Sequence, residues 1–201
     1  GNWGFTNVTK NWNWKDADQK PVQVAVFSNG DEVELIQNGT SVGKLTSGTR
    51  LAADLPHSFL FDLTYLPGTL EAVSYKDGKE ISRDTLVTTG PAKELRLIQE
   101  KKELSANGHE VAYVRVEIVD ENGIVVPDAA LKLSAAVEGV GSLAAFGSSN
   151  PITDENYTSG TFTSYHGTAT AIIRSGYQTG MCTLTVGCEE LDEKKIAFTI
   201  K

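Results

Sequence analysis

Apolar and polar residues alternate along most of this chain, most clearly in its first third. The sequences VQVAV at residues 22–26 and VEL at 33–35 have a period of two and are separated by a Ser-Asn-Gly-Asp turn. This period is typical of half-buried strands, because successive side chains of a strand point to opposite faces of its sheet. Asn38-Gly39 then predicts a type I′ hairpin turn, since both residues tolerate a positive φ. The segment therefore predicts antiparallel β structure.

The same pattern recurs to the end of the chain and predicts a long series of strands separated by turn signals. No long stretch shows the 3.6-residue period of a helix, and only Arg50–Leu55 suggests a helical turn. Short strands at this spacing predict an all-β fold rather than a parallel α/β sheet. The predicted strands are 22–28, 32–37, 41–45, 58–64, 69–75, 80–88, 93–98, 111–119, 131–138, 167–174, 181–187 and 195–200.

The best position for a domain boundary is the segment Thr88–Ala92. There a Gly-Pro pair follows one predicted strand and precedes a new alternating segment. A boundary after Gly90 divides the chain into residues 1–90 and 91–201, and both pieces match the ~100-residue size of immunoglobulin-like sandwiches. We therefore expect an all-β protein of two tandem immunoglobulin-like antiparallel β-sandwiches, the first with a tryptophan-rich lead segment.

Composition and charge restrict the kinds of partner. Of the 201 residues 40% are hydrophobic, which is enough for a packed core, and the net charge is −8. No basic patch stands out, so we expect neither nucleic acid nor a membrane surface as a partner. No apolar run approaches the ~18–20 residues that span a bilayer.

The two cysteines, Cys182 and Cys188, fall in one predicted strand. In a continuous strand their separation is ~20 Å at ~3.3 Å per residue, whereas a disulfide requires Cα atoms within ~7 Å. We therefore expect two unpaired thiols, which favour a reducing compartment such as the cytoplasm.

No catalytic or metal-binding motif is recognisable in this chain. The three histidines, His57, His109 and His166, are far apart and lack metal-ligand spacing, and no GxSxG elbow, P-loop or GxGxxG motif occurs. The acidic sequence at 120–123 lacks the spacing of a calcium loop and predicts a hairpin turn. The other carboxylates mostly occupy the alternate strand positions of a solvated face. Those considered are Asp31, Glu32, Glu34, Asp62, Glu71, Glu117, Asp120 and Glu138. We expect no catalytic residue, no metal and no cofactor.

The tryptophans Trp3, Trp12 and Trp14 all lie in the first fourteen residues. If the segment 11–14 is extended, the rings of Trp12 and Trp14 share one face. They are then candidate substrate-binding residues, because aromatic rings stack on the apolar faces of sugars. Alternatively, these rings fill the first sandwich or its junction with a preceding domain.

The longest irregular segment lies between Phe146 and Gly160 and is rich in Ser, Asn, Thr and Gly. It is either a contact surface or a solvated loop of the second sandwich.

Several segments together resemble one known family. The sequence NWNW at 11–14, followed by KPVQVAVFSNGDEVELIQNGTSVGKL, resembles the segment after the catalytic barrel in glycoside hydrolase family 2, particularly in its β-galactosidase-type members. Two departures are Phe61, where members often have Trp, and Gln37, where an apolar residue is usual. The resemblance covers nearly the whole chain in the family's order. Its further segments are 65–73, 84–90, 114–127, 146–151, 155–160 and 167–175.

This resemblance implies that the chemistry lies outside this chain. In the family the two catalytic glutamates belong to a (β/α)₈ barrel, and nothing in residues 1–201 matches the motifs around them. The resemblance therefore implies a non-catalytic C-terminal accessory region of a retaining glycosidase, a β-galactosidase or near relative. Its implied partner is the catalytic barrel of the same polypeptide, and the chain alone is expected to be inactive. Carbohydrate and a second copy of the parent enzyme are further partners that the resemblance leaves open.

Two other functions remain open from the sequence. The same sandwiches could form a carbohydrate-binding module, in which Trp12, Trp14 or the 146–160 loop contacts a glycan. They could also be structural domains of a bacterial surface protein, since stacked immunoglobulin-like domains build bacterial stalks. A barrel-sized segment upstream in the parent reading frame supports the enzyme, whereas repeated sandwiches with a wall anchor support the stalk.

Overall fold

The protein is all-β, as predicted. A computed structural model describes residues 8–46 and 57–201, so Trp3 and the helical turn predicted at Arg50–Leu55 lie outside the described residues. The only helical element in the described ranges is a 3₁₀ turn at Lys15–Ala17. Two compact units, residues 1–88 and 89–201, make up the chain.

Every predicted strand is present, with each end at or next to the predicted residue. The strands of the first unit are β1 (Pro21–Phe27), β2 (Glu32–Gln37), β3 (Thr40–Thr46), β4 (Ser58–Thr64), β5 (Thr69–Lys76) and β6 (Lys79–Val87). Those of the second unit are β7 (Glu94–Gln99), β8 (Glu103–Leu104), β9 (Val111–Val119), β10 (Lys132–Gly139), β11 (Gly141–Gly147), β12 (Thr161–Thr163), β13 (Thr168–Ser175), β14 (Gly180–Gly187) and β15 (Lys194–Ile200).

Sequence reasoning missed strands β8, β11 and β12. Two of them are only two or three residues long, too short for a visible alternation. In β11 the alternation is interrupted, because its pairing with β13 shifts by one residue between Leu143 and Ala145. A bulge of this kind inserts a residue and breaks the period of two.

In the first unit, a two-stranded sheet, β1-β4, faces a four-stranded sheet of order β3-β2-β5-β6. The alternation read from the sequence points inward: Val33 and Leu35 are fully buried, and Val22, Val24 and Val26 pack against the same core. The buried members of this core are Trp12, Val33, Leu35, Phe59, Phe61, Tyr65 and Leu70.

The turn predicted at Asn38-Gly39 is confirmed. Asn38 has φ 50° and Gly39 has φ 78°, and Gln37 pairs with Thr40 across the turn. Positive φ at both central residues is the requirement of a type I′ turn, whose twist matches that of the two strands.

The second unit is a sandwich of two larger sheets. Their strand orders are β12-β10-β14-β15-β8 and β11-β13-β9-β7. The pairs are antiparallel except for a short parallel pairing of β8 with β15. Both sheets contribute to one core, in which Val114, Val116 and Ile118 of β9 and Leu184 and Val186 of β14 are fully buried.

The cysteines are unpaired, in agreement with the sequence expectation. Cys182 is buried in β14, and Cys188 follows the end of that strand. Burial raises the pKa of both thiols. Within the described residues, no helix has the length and apolar character that crossing a membrane requires.

Candidate functional site

Trp12 is part of the core of the first unit. Its side chain is 3% exposed, and its ring meets that of Tyr65 edge-on, with 4.7 Å between centroids. The hydroxyl groups of Tyr65 and Thr88 both donate hydrogen bonds to the Trp12 carbonyl oxygen, at 3.0 and 2.7 Å. Its indole Nε1 is buried and has no hydrogen-bond partner among the described residues. Trp12 therefore anchors the lead segment to the sandwich and cannot present a face to a ligand.

Trp14 lies at the surface instead. Its side chain is 43% exposed, and its indole N–H donates to the carbonyl oxygen of Asn11 at 3.1 Å. Its backbone N–H donates to the hydroxyl oxygen of Tyr65 at 3.3 Å. These two hydrogen bonds hold Trp14 to Asn11 and Tyr65, while a large part of its side chain remains exposed to solvent.

The two rings do not form the shared platform that an extended segment predicts. Trp14 immediately precedes the 3₁₀ turn at Lys15–Ala17 and has φ −108° and ψ 73°, and no strand is assigned to the lead segment from residue 8 to 14. Alternate residues share a face only in an extended chain. The lead segment is not a strand, so the two rings are not held on one face: that of Trp12 is buried and that of Trp14 is exposed.

The irregular segment between β11 and β12 is held by its own side chains. Glu155 accepts hydrogen bonds from the backbone N–H and hydroxyl of Thr163 and forms an ion pair with Lys132. Tyr157 stacks on Phe162, with 4.7 Å between ring centroids. Ile152 is 88% exposed, so one large apolar side chain of this loop stands in solvent.

Two carboxylates, Glu117 and Asp120, are buried, whereas the sequence predicts a solvated strand face for Glu117 and a hairpin turn for Asp120. Glu117 is 4% exposed and lies between two arginines on the outer side of β9. Arg96 Nε donates to Glu117 Oε2 at 2.7 Å, and Arg115 Nε contacts Glu117 Oε1 at 2.9 Å. Arg96 also donates to the carbonyl oxygen of Gly123 at 2.8 Å. Local sequence does not show this burial, because Arg96 comes to lie opposite Glu117 only through the pairing of β7 with β9.

Asp120 organises the predicted hairpin turn, which is confirmed. Its Oδ1 accepts the N–H groups of Asn122 and Ile124, both at 2.9 Å, and its Oδ2 accepts the N–H of Gly90 at 3.0 Å. Burial raises the pKa of this carboxyl, but the hydrogen bonds from Ile124, Gly90 and Asn122 outweigh burial and hold the pKa below its usual value. A general acid of a glycosidase requires the opposite shift.

The remaining polar groups do not converge. His57, His109 and His166 are all exposed, and no group of three or more His, Cys, Asp or Glu side chains in the described ranges could hold a metal ion. An open cleft of about 420 Å³ lies beside Cys188, and its charged lining residues are a single lysine and two glutamates. One of them, Lys132, is already paired with Glu155.

Comparison with known families gives two matches along the chain. Residues 95–197 match the family described as glycoside hydrolase family 2 C-terminal domain 5. Residues 19–82 match a family described as a domain of unknown function (DUF4982). The two matches fall in the second and first units respectively.

Individual relatives belong to the same group of enzymes. A beta-galactosidase of Bacteroides ovatus is 28% identical over 180 residues, which cover 90% of this chain and 20% of the relative. A putative beta-glucuronidase of Formosa agariphila is 30% identical over 141 residues, which cover 70% of this chain and 13% of the relative. This chain thus spans one fifth or less of the length of these curated relatives.

A solved structure agrees with this assignment. A glycosyl hydrolase family 2 member from Bacteroides cellulosilyticus superposes with a TM-score of 0.92 at 30% identity, covering 99% of this chain and 25% of that chain. The resemblance seen in the sequence is thereby confirmed. The chain belongs to the glycoside hydrolase family 2 C-terminal domain 5 family.

Proposed function

We propose that this chain is the non-catalytic accessory region of a family 2 glycosidase, and that it packs against and stabilises the catalytic barrel of the same polypeptide. One observation carries the proposal: nearly the whole chain superposes on one quarter of a family 2 enzyme. The geometry of the chain supports it, because its buried carboxylates are saturated by hydrogen bonds and ion pairs. The remaining length of the relatives provides room for a barrel of ~250 residues.

For the parent polypeptide we propose hydrolysis of O-glycosidic bonds in β-galactosides. The relative that covers 90% of this chain is named a beta-galactosidase, whereas the putative beta-glucuronidase covers 70%. The specificity of the parent would be set by its barrel and the loops around its active site.

The test compares the purified chain of residues 1–201 with the intact polypeptide that carries it. We expect turnover of a chromogenic β-galactoside by the intact polypeptide and none by residues 1–201 at equal molar concentration. The same assay with a chromogenic β-glucuronide shows which of the two sugars the intact polypeptide releases. Turnover that co-elutes with residues 1–201 on size-exclusion chromatography would contradict the accessory role.

A second candidate function is carbohydrate binding at Trp14. The observation that favours it is the exposure of the Trp14 side chain, whose indole N–H already donates to the carbonyl oxygen of Asn11. If a sugar stacks on this ring, we expect calorimetry with a panel of glycans to detect heat of binding. We expect the Trp14→Ala variant to show no such heat. Tyr177→Ala, which removes a 76% exposed ring from the second unit, is the matched control. A silent panel, or binding that survives Trp14→Ala, contradicts this candidate.

A further inference from the structure

We propose that the outer surface of sheet β11-β13-β9-β7 is a docking site for an acidic protein surface with an apolar centre, supplied by the catalytic part of the same polypeptide. We call this surface the arginine face and define it by Ile98, Tyr113, Arg115, Ile172 and Arg174. The inference rests on the proposed accessory function and adds the surface through which the chain makes contact.

The apolar residues of the arginine face are neighbours across three strands, β7, β9 and β13. Ile172 of β13 pairs directly with Tyr113 of β9 on one side and with Ala145 of β11 on the other. Ile98 of β7 pairs with Arg115 of β9. Ile98 is therefore a diagonal neighbour of Tyr113, which lies two residues from Arg115 on the same face of β9. Directly opposite side chains lie ~5 Å apart and diagonal ones ~7–8 Å, so these residues form one patch.

This patch departs from the usual polarity of a sandwich. Outward positions of an antiparallel sheet normally carry polar side chains, while the inward ones fill the core. Here the inward residues of β9, including Val114 and Val116, are fully buried as expected, yet Tyr113 is 47% and Ile98 is 45% exposed on the outward side. Grouped apolar residues on an outer face are typical of an interaction site, whereas single scattered ones are not.

Arginines surround this apolar patch. The chain has five arginines, and three of them, Arg96, Arg115 and Arg174, are on outward positions of this one sheet. Arg96 is engaged by Glu117 and Gly123, while Arg115 uses its Nε on Glu117. Arg174 forms no ion pair within the described part of the chain.

The chemistry of the partner follows from these unused donors. The terminal guanidinium nitrogens of Arg115 and the whole guanidinium of Arg174 can donate to carboxylates, preferably in bidentate pairs. Tyrosine and arginine are also the residue types that contribute most to binding free energy at the centre of protein interfaces. The fitting partner is therefore a protein surface with carboxylates around an apolar centre.

The catalytic part of the polypeptide fits this description better than a second copy of the chain. A two-fold symmetric contact uses the same patch on both copies, so two sets of arginines would face each other. Like charges brought together at an interface oppose association. The relatives are at least five times longer than their match to this chain, so a large surface of the same polypeptide is available.

Hydroxyl-radical footprinting of the intact polypeptide tests the proposal. The matched reporters outside the arginine face are Tyr177 and Ile152, which are 76% and 88% exposed. Exposure alone makes Tyr113 and Ile98 about half as reactive as these residues. If a partner is docked on the arginine face, we expect Tyr113 to be labelled much more slowly, relative to Tyr177, than their exposed fractions account for. The same comparison applies to Ile98 and Ile152.

A charge reversal distinguishes docking from local effects. Arg174→Glu removes no ion pair of the described chain and is expected to restore the labelling of Tyr113 and Ile98. Lys195→Glu, on the opposite sheet, is the control and is expected to leave the labelling slow. Sedimentation velocity establishes whether the polypeptide is monomeric under the labelling conditions.

Two results would overturn the proposal. The first is fast labelling of Tyr113 and Ile98, in the ratio that their exposures predict, in an intact, active polypeptide. The second is protection that appears only at concentrations where the polypeptide dimerises, which would assign the face to a second copy. Either result leaves the accessory role standing, because that role is tested separately, by the turnover of residues 1–201 and by the stability of the truncated polypeptide.

Discussion

Asn38 joins two turns of the first unit through a single side chain. Its Oδ1 accepts the N–H of Thr69 at 2.7 Å, and its Nδ2 donates to the carbonyl oxygen of Pro67 at 3.0 Å. Gly68 between them has φ 128°, which favours glycine, and a Cβ there would also lie 2.0 Å from Asn38 Oδ1 and displace this side chain. The residue that supports the positive φ of one hairpin turn thus also fixes the neighbouring turn before β5.

We predict that Asn38→Gly lowers the free energy of unfolding of the first unit by about 1–2 kcal/mol, because both side-chain hydrogen bonds are lost while the positive φ stays accessible. Urea unfolding followed by tryptophan fluorescence measures this change. The matched control is Asp77→Gly in a second turn of the first unit with two positive φ values, where Asp77 also has φ 50°. An equal loss of stability in both variants would contradict the role of the Asn38 side chain.

At the scale of elements, the connection between β8 and β9 depends on one carboxylate. Glu110 accepts the backbone N–H of Ser105 at 2.7 Å and forms an ion pair with Lys101 at 3.1 Å. The hydrogen bonds from Ser105, and then the Lys101 ammonium, lower the pKa of Glu110 to about 2. The carboxylate thus links the end of one sheet to the start of the other.

This pKa determines the sign of a pH effect. The folded pKa is below the unfolded value of ~4.3, so the ionised carboxylate contributes stability above pH ~4.3, and that contribution is lost as the pH falls toward about 2. We predict that Glu110→Gln is less stable than the wild type at pH 6 and that the difference shrinks at pH 2.5. Urea unfolding followed by circular dichroism at the two pH values is the measurement. A difference that is the same at both values, or one matched by Glu121→Gln at an exposed turn position, would contradict this prediction.

The position of a strand in its sheet explains why some strands of the second unit were predicted from the sequence and others were not. The central strands β9, β13 and β14 show long alternations, since one face of each is buried in the core of the second unit. The short edge strands β8 and β12 and the bulged edge strand β11 have too little regular pattern to be recognised. Their positions depend on pairing with distant strands, which local sequence does not encode.

At the scale of the whole molecule, we predict that truncation of the parent polypeptide before this chain lowers the melting temperature of its catalytic part. The reason is that an apolar surface covered by the chain becomes exposed to water. Differential scanning fluorimetry of the intact and truncated polypeptides makes the comparison. If a stable, fully active truncated enzyme melts at the temperature of the intact one, the stabilising role is wrong.

The sequence by itself determined the all-β class, the strands with one buried face, the Asn-Gly turn and the family. Alternation and turn chemistry are local, so they can be read without knowledge of the neighbours. The family resemblance likewise depends on the order of short segments, and the comparisons with known proteins confirm the family.

Only the tertiary structure decided the environment of individual side chains. Trp12 and Trp14 are the same residue type, yet Trp12 is buried and Trp14 is exposed, because the segment that carries them is not an extended strand. Glu117 is buried because two arginines from neighbouring positions of the sheet cover it. The arginine face arises in the same way, since its members come from separate strands that become neighbours only through long-range pairing. Burial and proximity are properties of packing, and a linear pattern does not contain them.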